Sequence, residues 1–448
     1  MKQKELGKQN SISSQKSEDA QLSGKKLSLI EVISMAVGTM IGASIFSIFG
    51  VGAQIAGRNL PIAFVLSGLF ALLVAYTYAK LGSKIISDAG PIAFILKGIG
   101  DNLVTGALSI LMWVSYVISI SLFAKGFAGY FLPLVNIPST SISMAIVEVV
   151  LILLFTGLNV LGSKTVGRAE FVIVLIKLSI LSIFIIGGFF LLDVSNIIPS
   201  GDRSHLQGTL HASIIFFLSY MGFGLVTNAS EHMQTPEKNV PKAIYISIAI
   251  VMFIYVSVAV VAVGNLPISQ LISSGENALA VAASPFLGRF GFFLISIGAL
   301  FSISSSLNAT LYGGTNVAYS FAKDGMLPTF FERKTWFKSP EGLYITAGLS
   351  MTFVLLFNID EIASITSAIF TIIYIFAFIS HFRLADEYGG NKVFILASAL
   401  VMIIIFSLLM YFQWQSQRPA FYGILATMLG AVVLELVYRR IFKRHFSQ

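Results

Sequence analysis

Polar positions in this chain fall in short clusters, and between them run apolar stretches of about twenty residues. A helix rises about 1.5 Å per residue, so about twenty residues cross the roughly 30 Å of a bilayer's hydrocarbon. The pattern predicts an all-α membrane protein of twelve transmembrane helices, near 28–54, 60–82, 102–131, 139–161, 170–192, 209–232, 241–264, 285–313, 343–358, 361–381, 393–413 and 420–438. The ninth is of marginal length. Residues 1–26, rich in Ser, Lys and Gln and without an apolar core, read as a disordered cytoplasmic tail and not as a cleaved leader.

Composition agrees. Of 448 residues, 56% are hydrophobic and 11% charged, which makes membrane lipid the expected surroundings. Cysteine is absent, excluding disulfides and thiolate metal sites. The net charge of +8 follows a membrane rule. With the amino terminus inside, 23 of the 29 Lys and Arg fall on cytoplasmic segments, among them Lys26, Lys80, Lys164, Arg168, Lys334, Lys338 and Arg439. Arg58, Lys125, Arg203, Arg289 and Arg418 fall outside, and Lys177 lies within a span. That bias predicts both termini in the cytoplasm and a cell (plasma or inner) membrane location. Scattered bases with no stacking module argue against nucleic acid. No nucleophile–base pair or metal-ligand cluster points to an enzyme, and no cofactor is expected.

Two glycine patterns interrupt the apolar runs: GTMIGASIF, Gly38–Phe46, in span 1, and SYMGFG, Ser219–Gly224, in span 6. Peptide groups released from helical pairing persist inside lipid only around a cavity or a solute. Breaks in the first helix of each half point to a transporter's midplane site. The first repeat, spans 1–5, covers 27–192 and the second, spans 6–10, covers 209–381. Five helices per unit make the repeats inverted. Residues 393–438 are then peripheral spans 11 and 12, and 439–448 a cytoplasmic tail. Past Ile41 and Gly42 the helix restarts, so the amides of Ala43, Ser44 and Ile45 suit a carboxylate. Carbonyls around Met40, Leu218, Ser219 and Met221, beside Gly222, suit an ammonium. The competing reading is that Gly38, Gly42 and Gly222 let helices pack closely. It does not account for the matched placement in both halves.

With these motifs go YAKLGSKIISDAGPIAFI from Tyr78, FFLSYMGFGLVTNASEHMQTPEKNVPKAI from Phe216 and NATLYGGTNVAYSFAKDGMLP from Asn308. Together, over roughly Leu27 to the carboxyl end, they resemble the amino acid/polyamine/organocation (APC) superfamily, most closely its archaeal proton-coupled carriers. The resemblance implies a LeuT-type fold with a five-plus-five inverted repeat and discontinuous helices 1 and 6. It also implies sodium-independent uptake of an amino acid substrate, its α-amino group held at the breaks.

Lys177 lies nine residues beyond Arg168, roughly 13 Å along the helix and inside the bilayer. Desolvation disfavours its charged form, which suits proton exchange. By resemblance, its ammonium takes the place of a sodium ion and approaches the Gly38 carbonyl and Ser302. Ser302, Ser305 and Ser306 share a helical face that can receive it. The alternative is snorkelling of the flexible stem toward the interface.

Other features weigh less. Glu148 fits either a second titrating group or a partner for a neighbouring polar face. Glu435 and Arg439 form an i, i+4 pair at the membrane edge. Glu231, His232 and Glu237 are gate or loop residues. Trp113, Tyr116, Tyr220 and Phe223 are pocket or core aromatics. Gly224 stands where many APC carriers have an acid, which argues against strict preference for cationic substrates. In the outside loop Asn265–Ser284, GENALAVAA predicts a short surface helix acting as a lid. Ala322–Lys334 reads as a helix end, a Gly turn and an amphipathic segment. The whole predicts a proton-coupled amino acid symporter of broad specificity working by alternating access. An exchanger on the same fold and a non-transporting amino acid sensor are the alternatives.

Overall fold

The computed structural model describes residues 26–442 except 88, 162–165, 324, 326 and 334–338, and leaves out the side chains at 43, 44, 161, 166–171, 441 and 442. Of the expected tails, residues 1–25 and 443–448 lie outside the described residues, as do Lys164, Lys334, Lys338 and the Arg168 side chain, whereas 439–442, expected in the carboxyl tail, continue the last helix.

In chain order the main helices are α1 Leu29–Ser47, α2 Phe49–Ala56, α3 Leu60–Gly82, α4 Pro91–Ile99, α5 Leu103–Leu134, α6 Ser141–Leu161 and α7 Val166–Phe189. They continue with α8 Arg203–Phe216, α9 Gly224–Asn228, α10 Pro236–Asn265, α11 Ala278–Lys323, α12 Glu341–Leu356, α13 Ile359–Tyr388, α14 Lys392–Ser416 and α15 Arg418–Phe442. Among the described residues, eleven helical stretches are long and apolar enough to cross a membrane, and the expected ninth span is the shorter apolar helix α12.

The outer helices carry apolar side chains on both faces, as contact with lipid requires. Ile142, Ile146, Val150 and Leu153 recur at helical spacing on α6 and are all exposed. Since lipid tails are as apolar as leucine, association inside the bundle rests on close packing of small and polar faces. α1 lies at the centre, packed by α5, α7, α10 and α11. α3 runs against α10 and α8, and α5 against α11 and α13.

Local chemistry fixes the element ends. Ser28 and Glu31 cap α1 reciprocally: the Ser28 N–H donates to Glu31 Oε2 at 2.7 Å and the Glu31 N–H to Ser28 Oγ at 3.4 Å. Immediately before that cap, the Leu27 N–H donates to the His232 carbonyl at 2.7 Å, and the Gln234 N–H donates to the Leu27 carbonyl at 3.0 Å. This isolated bridge ties the start of α1 to the segment following α9. A second capping box, Asn358 with Glu361, starts α13.

Two expectations are corrected here. The GENALAVAA segment does form helix, but Ala278, Leu279, Ala280, Ala282 and Ala283 are fully buried, so it is no surface lid. Gly288, at φ 59° and ψ −150°, turns this opening stretch of α11 from the long remainder. Lys125, expected outside, sits within α5 and pairs with Glu148 of α6 at 3.4 Å. The carboxylate supplies the countercharge that makes this depth tolerable. The Glu435–Arg439 pair forms at 2.7 Å, and Arg439 also bonds Asp101 and the Asn102 carbonyl.

Candidate functional site

Three side chains converge on the backbone of α1. Lys177 Nζ donates to the Gly38 carbonyl at 3.2 Å, from a residue only 1% exposed. The Tyr255 hydroxyl of α10 donates to the Met40 carbonyl, and Ser302 Oγ of α11 to those of Gly42 and, at 3.3 Å, Ile41. Four neighbouring carbonyls thus take side-chain donors from three helices. A carbonyl has two lone pairs, so it can serve its helix and a side chain together. This corrects the expected break at Gly38–Gly42: α1 stays helical there, and the interruption comes later, at Ile48 with φ −110° and ψ 5°.

Gly42 allows the convergence. A β-carbon at this position would lie 1.8 Å from Ser306 Oγ and 3.8 Å from Lys177 Nζ, so α1 and α11 meet there with no room for a side chain. Ser302 and Ser306, from the predicted polar stripe, are both buried.

The second interruption is present. After α8, residues Phe217–Phe223 tighten into a 3₁₀ helix before α9 resumes α geometry. Such a stretch shifts hydrogen bonds from i+4 to i+3 and re-aims its peptide groups. It meets α1 where a β-carbon on Gly222 would lie 2.9 Å from the Met40 amide nitrogen. Tyr255 spans the junction, with its hydroxyl also 3.4 Å from the Ser219 carbonyl.

Beside this junction lies a cavity of about 150 Å³. Of the predicted substrate contacts, Met40, Leu218, Ser219, Met221 and Gly222 line it. Ser219 Oγ is buried without a hydrogen-bond partner. Ile41 and Gly42 lie beside the cavity, their carbonyls engaged by Ser302, and the side chains of Ala43 and Ser44 lie outside the described residues. α5 supplies Met112, Ser115, Tyr116 and Ser119, α11 Ala309, Thr310 and Gly313, and α13 Thr366, Phe370 and Tyr374. The serines at 115 and 119, one turn apart and flanking Tyr116, were the signal available for the α5 wall. The described lining residues include Gly224 but no Asp, Glu, Lys, Arg or His.

The other aromatics are structural. Trp113 Nε1 donates to Thr346 Oγ1 at 3.1 Å and its ring packs edge-on against Phe331, the Tyr220 hydroxyl donates to the Phe64 carbonyl at 2.9 Å, and Phe223 packs against Tyr78. Glu231, His232 and Glu237 are exposed beyond α9. Among the described residues, no three His, Asp or Glu side chains gather as a metal site would need.

A central helix with its carbonyls engaged from neighbouring spans, a re-aimed helix facing it and an uncharged cavity between them define a membrane transporter. The chain belongs to the amino acid permease family, whose model matches residues 27–434. It is 64% identical to an uncharacterized protein of Methanocaldococcus jannaschii, over 95% of this chain and 98% of that one. It is 30% identical to the inner membrane transport protein YbaT of Escherichia coli, over 93% and 97% respectively. Identity to the branched-chain amino acid permease BcaP of Bacillus subtilis is 26%, over 68% of each chain.

Proposed function

We propose that the protein is a sodium-independent, proton-coupled amino acid symporter working by alternating access, with Lys177 carrying the coupling proton. Its motifs resemble those of the archaeal carrier ApcT, and we read its helices as a LeuT-type fold of twelve spans in a cell membrane, both termini cytoplasmic. The carrying observation is the buried Lys177 Nζ on the Gly38 carbonyl, beside the cavity. There the protonated amine holds α7 to α1, while Ser302 holds α11 to the next carbonyls along. Losing the proton leaves a neutral amine that can still donate to the Gly38 carbonyl but without the charge that strengthened the bond, so α1 is held less firmly in the deprotonated state. Coupling requires only that the substrate prefer one of those arrangements. The amino acid's polar ends meet Ser219 and the re-aimed peptide groups around Met221 and Gly222.

The test is uptake of labelled amino acids into proteoliposomes without sodium, with the inward proton gradient on or off. Wild type accumulates substrate under the gradient; Lys177→Ala shows no gradient response, with whatever uptake remains being downhill. A full gradient response in Lys177→Ala overturns the assignment. Uptake that requires internal amino acid and ignores the gradient replaces symport with exchange.

A further inference from the structure

The cavity's volume, about 150 Å³, is of the order that holds a benzene-sized solute. Alanine has about as many non-hydrogen atoms as benzene. Leucine or phenylalanine needs a wall to move. Which wall resists is set on α5, where Met112, Ser115, Tyr116 and Ser119 follow i, i+3, i+4, i+7 and face the cavity.

Tyr116 is the largest of them, and it has nowhere to retreat. Its ring edge lies over Gly313 and its Cβ over Gly314 of α11: a β-carbon on Gly313 would sit 3.3 Å from Tyr116 Cε1, and one on Gly314 2.8 Å from Tyr116 Cβ. The two helices are already as close as two glycines allow, so the ring is backed by main chain, which yields less than side chains do. The described walls carry no charge, so a charged substrate side chain loses its water without gaining a partner.

We infer that Tyr116 sets the upper size limit of the transported side chain and makes this a carrier of small neutral amino acids such as alanine and serine ahead of leucine and phenylalanine. The inference rests on the amino acid reading of the cavity given above.

The experiment competes labelled alanine uptake by reconstituted full-length protein with glycine, serine, leucine, phenylalanine, glutamate and lysine. In wild type, glycine and serine compete best. Tyr116→Phe keeps that order, because the ring and not the hydroxyl is the barrier. Tyr116→Ala raises competition by phenylalanine relative to serine by about tenfold or more, the least that pocket size discrimination delivers. Tyr116→Leu, with ligand-induced thermal stabilisation in detergent as readout, repeats the shift where the alanine variant fails to fold. The same phenylalanine-to-serine ratio in wild type and these variants, or leucine, glutamate or lysine competing as well as serine in wild type, overturns the inference and leaves amino acid transport standing. Wild type that takes up no amino acid overturns both.

Discussion

Glu148 and Lys125 meet 3.4 Å apart with side chains 2% and 13% exposed, deep enough that neither ion can turn to water alone. Removing one partner strands the other charge, whereas removing both leaves an apolar contact between α5 and α6. Glu148→Ala is therefore expected to cost about 3–5 kcal/mol, and Glu148→Leu with Lys125→Met to be near neutral, as thermal unfolding of purified protein will show. Equal losses in single and double variants would mean that the pair does more than balance charge. The position of Lys177 was legible in the sequence because a lone lysine deep in an apolar helix must either snorkel to the interface or find an acceptor within the bundle, and it takes the Gly38 carbonyl. Lys125 was not, because nine residues short of a helix end looks like an exit until the carboxylate on the next helix is known. Tyr116 could be placed only among candidates: what distinguishes it from Trp113 and Tyr220 is the glycine pair behind it, nearly two hundred residues away in sequence.

At the level of elements, glycine marked an interruption in span 6, whereas in span 1 the same signal fell on backbone that stays helical. In α8 to α9 the backbone itself changes pitch over Phe217–Phe223. In α1 the same signal reflects proximity: Gly42 is small so that Ser306 can approach, and donors from α7, α10 and α11 reach carbonyls that stay helical. A single sequence cannot separate these outcomes, since the donors lie on distant helices. The helix of GENALAVAA was legible from its alanines and its burial was not, because small apolar residues favour helix and suit tight interfaces alike. Gly288 is a sharper case. Its φ of 59° and ψ of −150° belong to glycine, and nothing lies within 4 Å of where a β-carbon would stand, so any penalty for a side chain comes from the backbone alone. Gly288→Ala should cost about 1–3 kcal/mol in thermal unfolding, without the altered substrate preference expected of changes at Tyr116. A neutral result would show that α11 runs straight through this point.

Across the whole molecule, the start of α1 and the segment after α9 are joined at one end of the bundle by the hydrogen bonds of Leu27 with His232 and Gln234. Met233, at φ −86° and ψ 149°, already has the backbone that a following proline favours. Gln234→Pro removes this amide donor together with the side-chain bond to the Lys26 carbonyl, whereas Gln234→Ala removes the side-chain bond alone. Amide hydrogen exchange of the α1 start should then speed up, while Gln234→Ala leaves it slow; equal protection in both variants would mean the bridge does not hold the helix. Peptide groups are alike in every residue, so this fastening is written in no particular side chain. Any substitution but proline at 234 keeps the bonding groups in place, so a residue-by-residue comparison of distant relatives would pass over the joint that ties the start of α1 to the segment after α9.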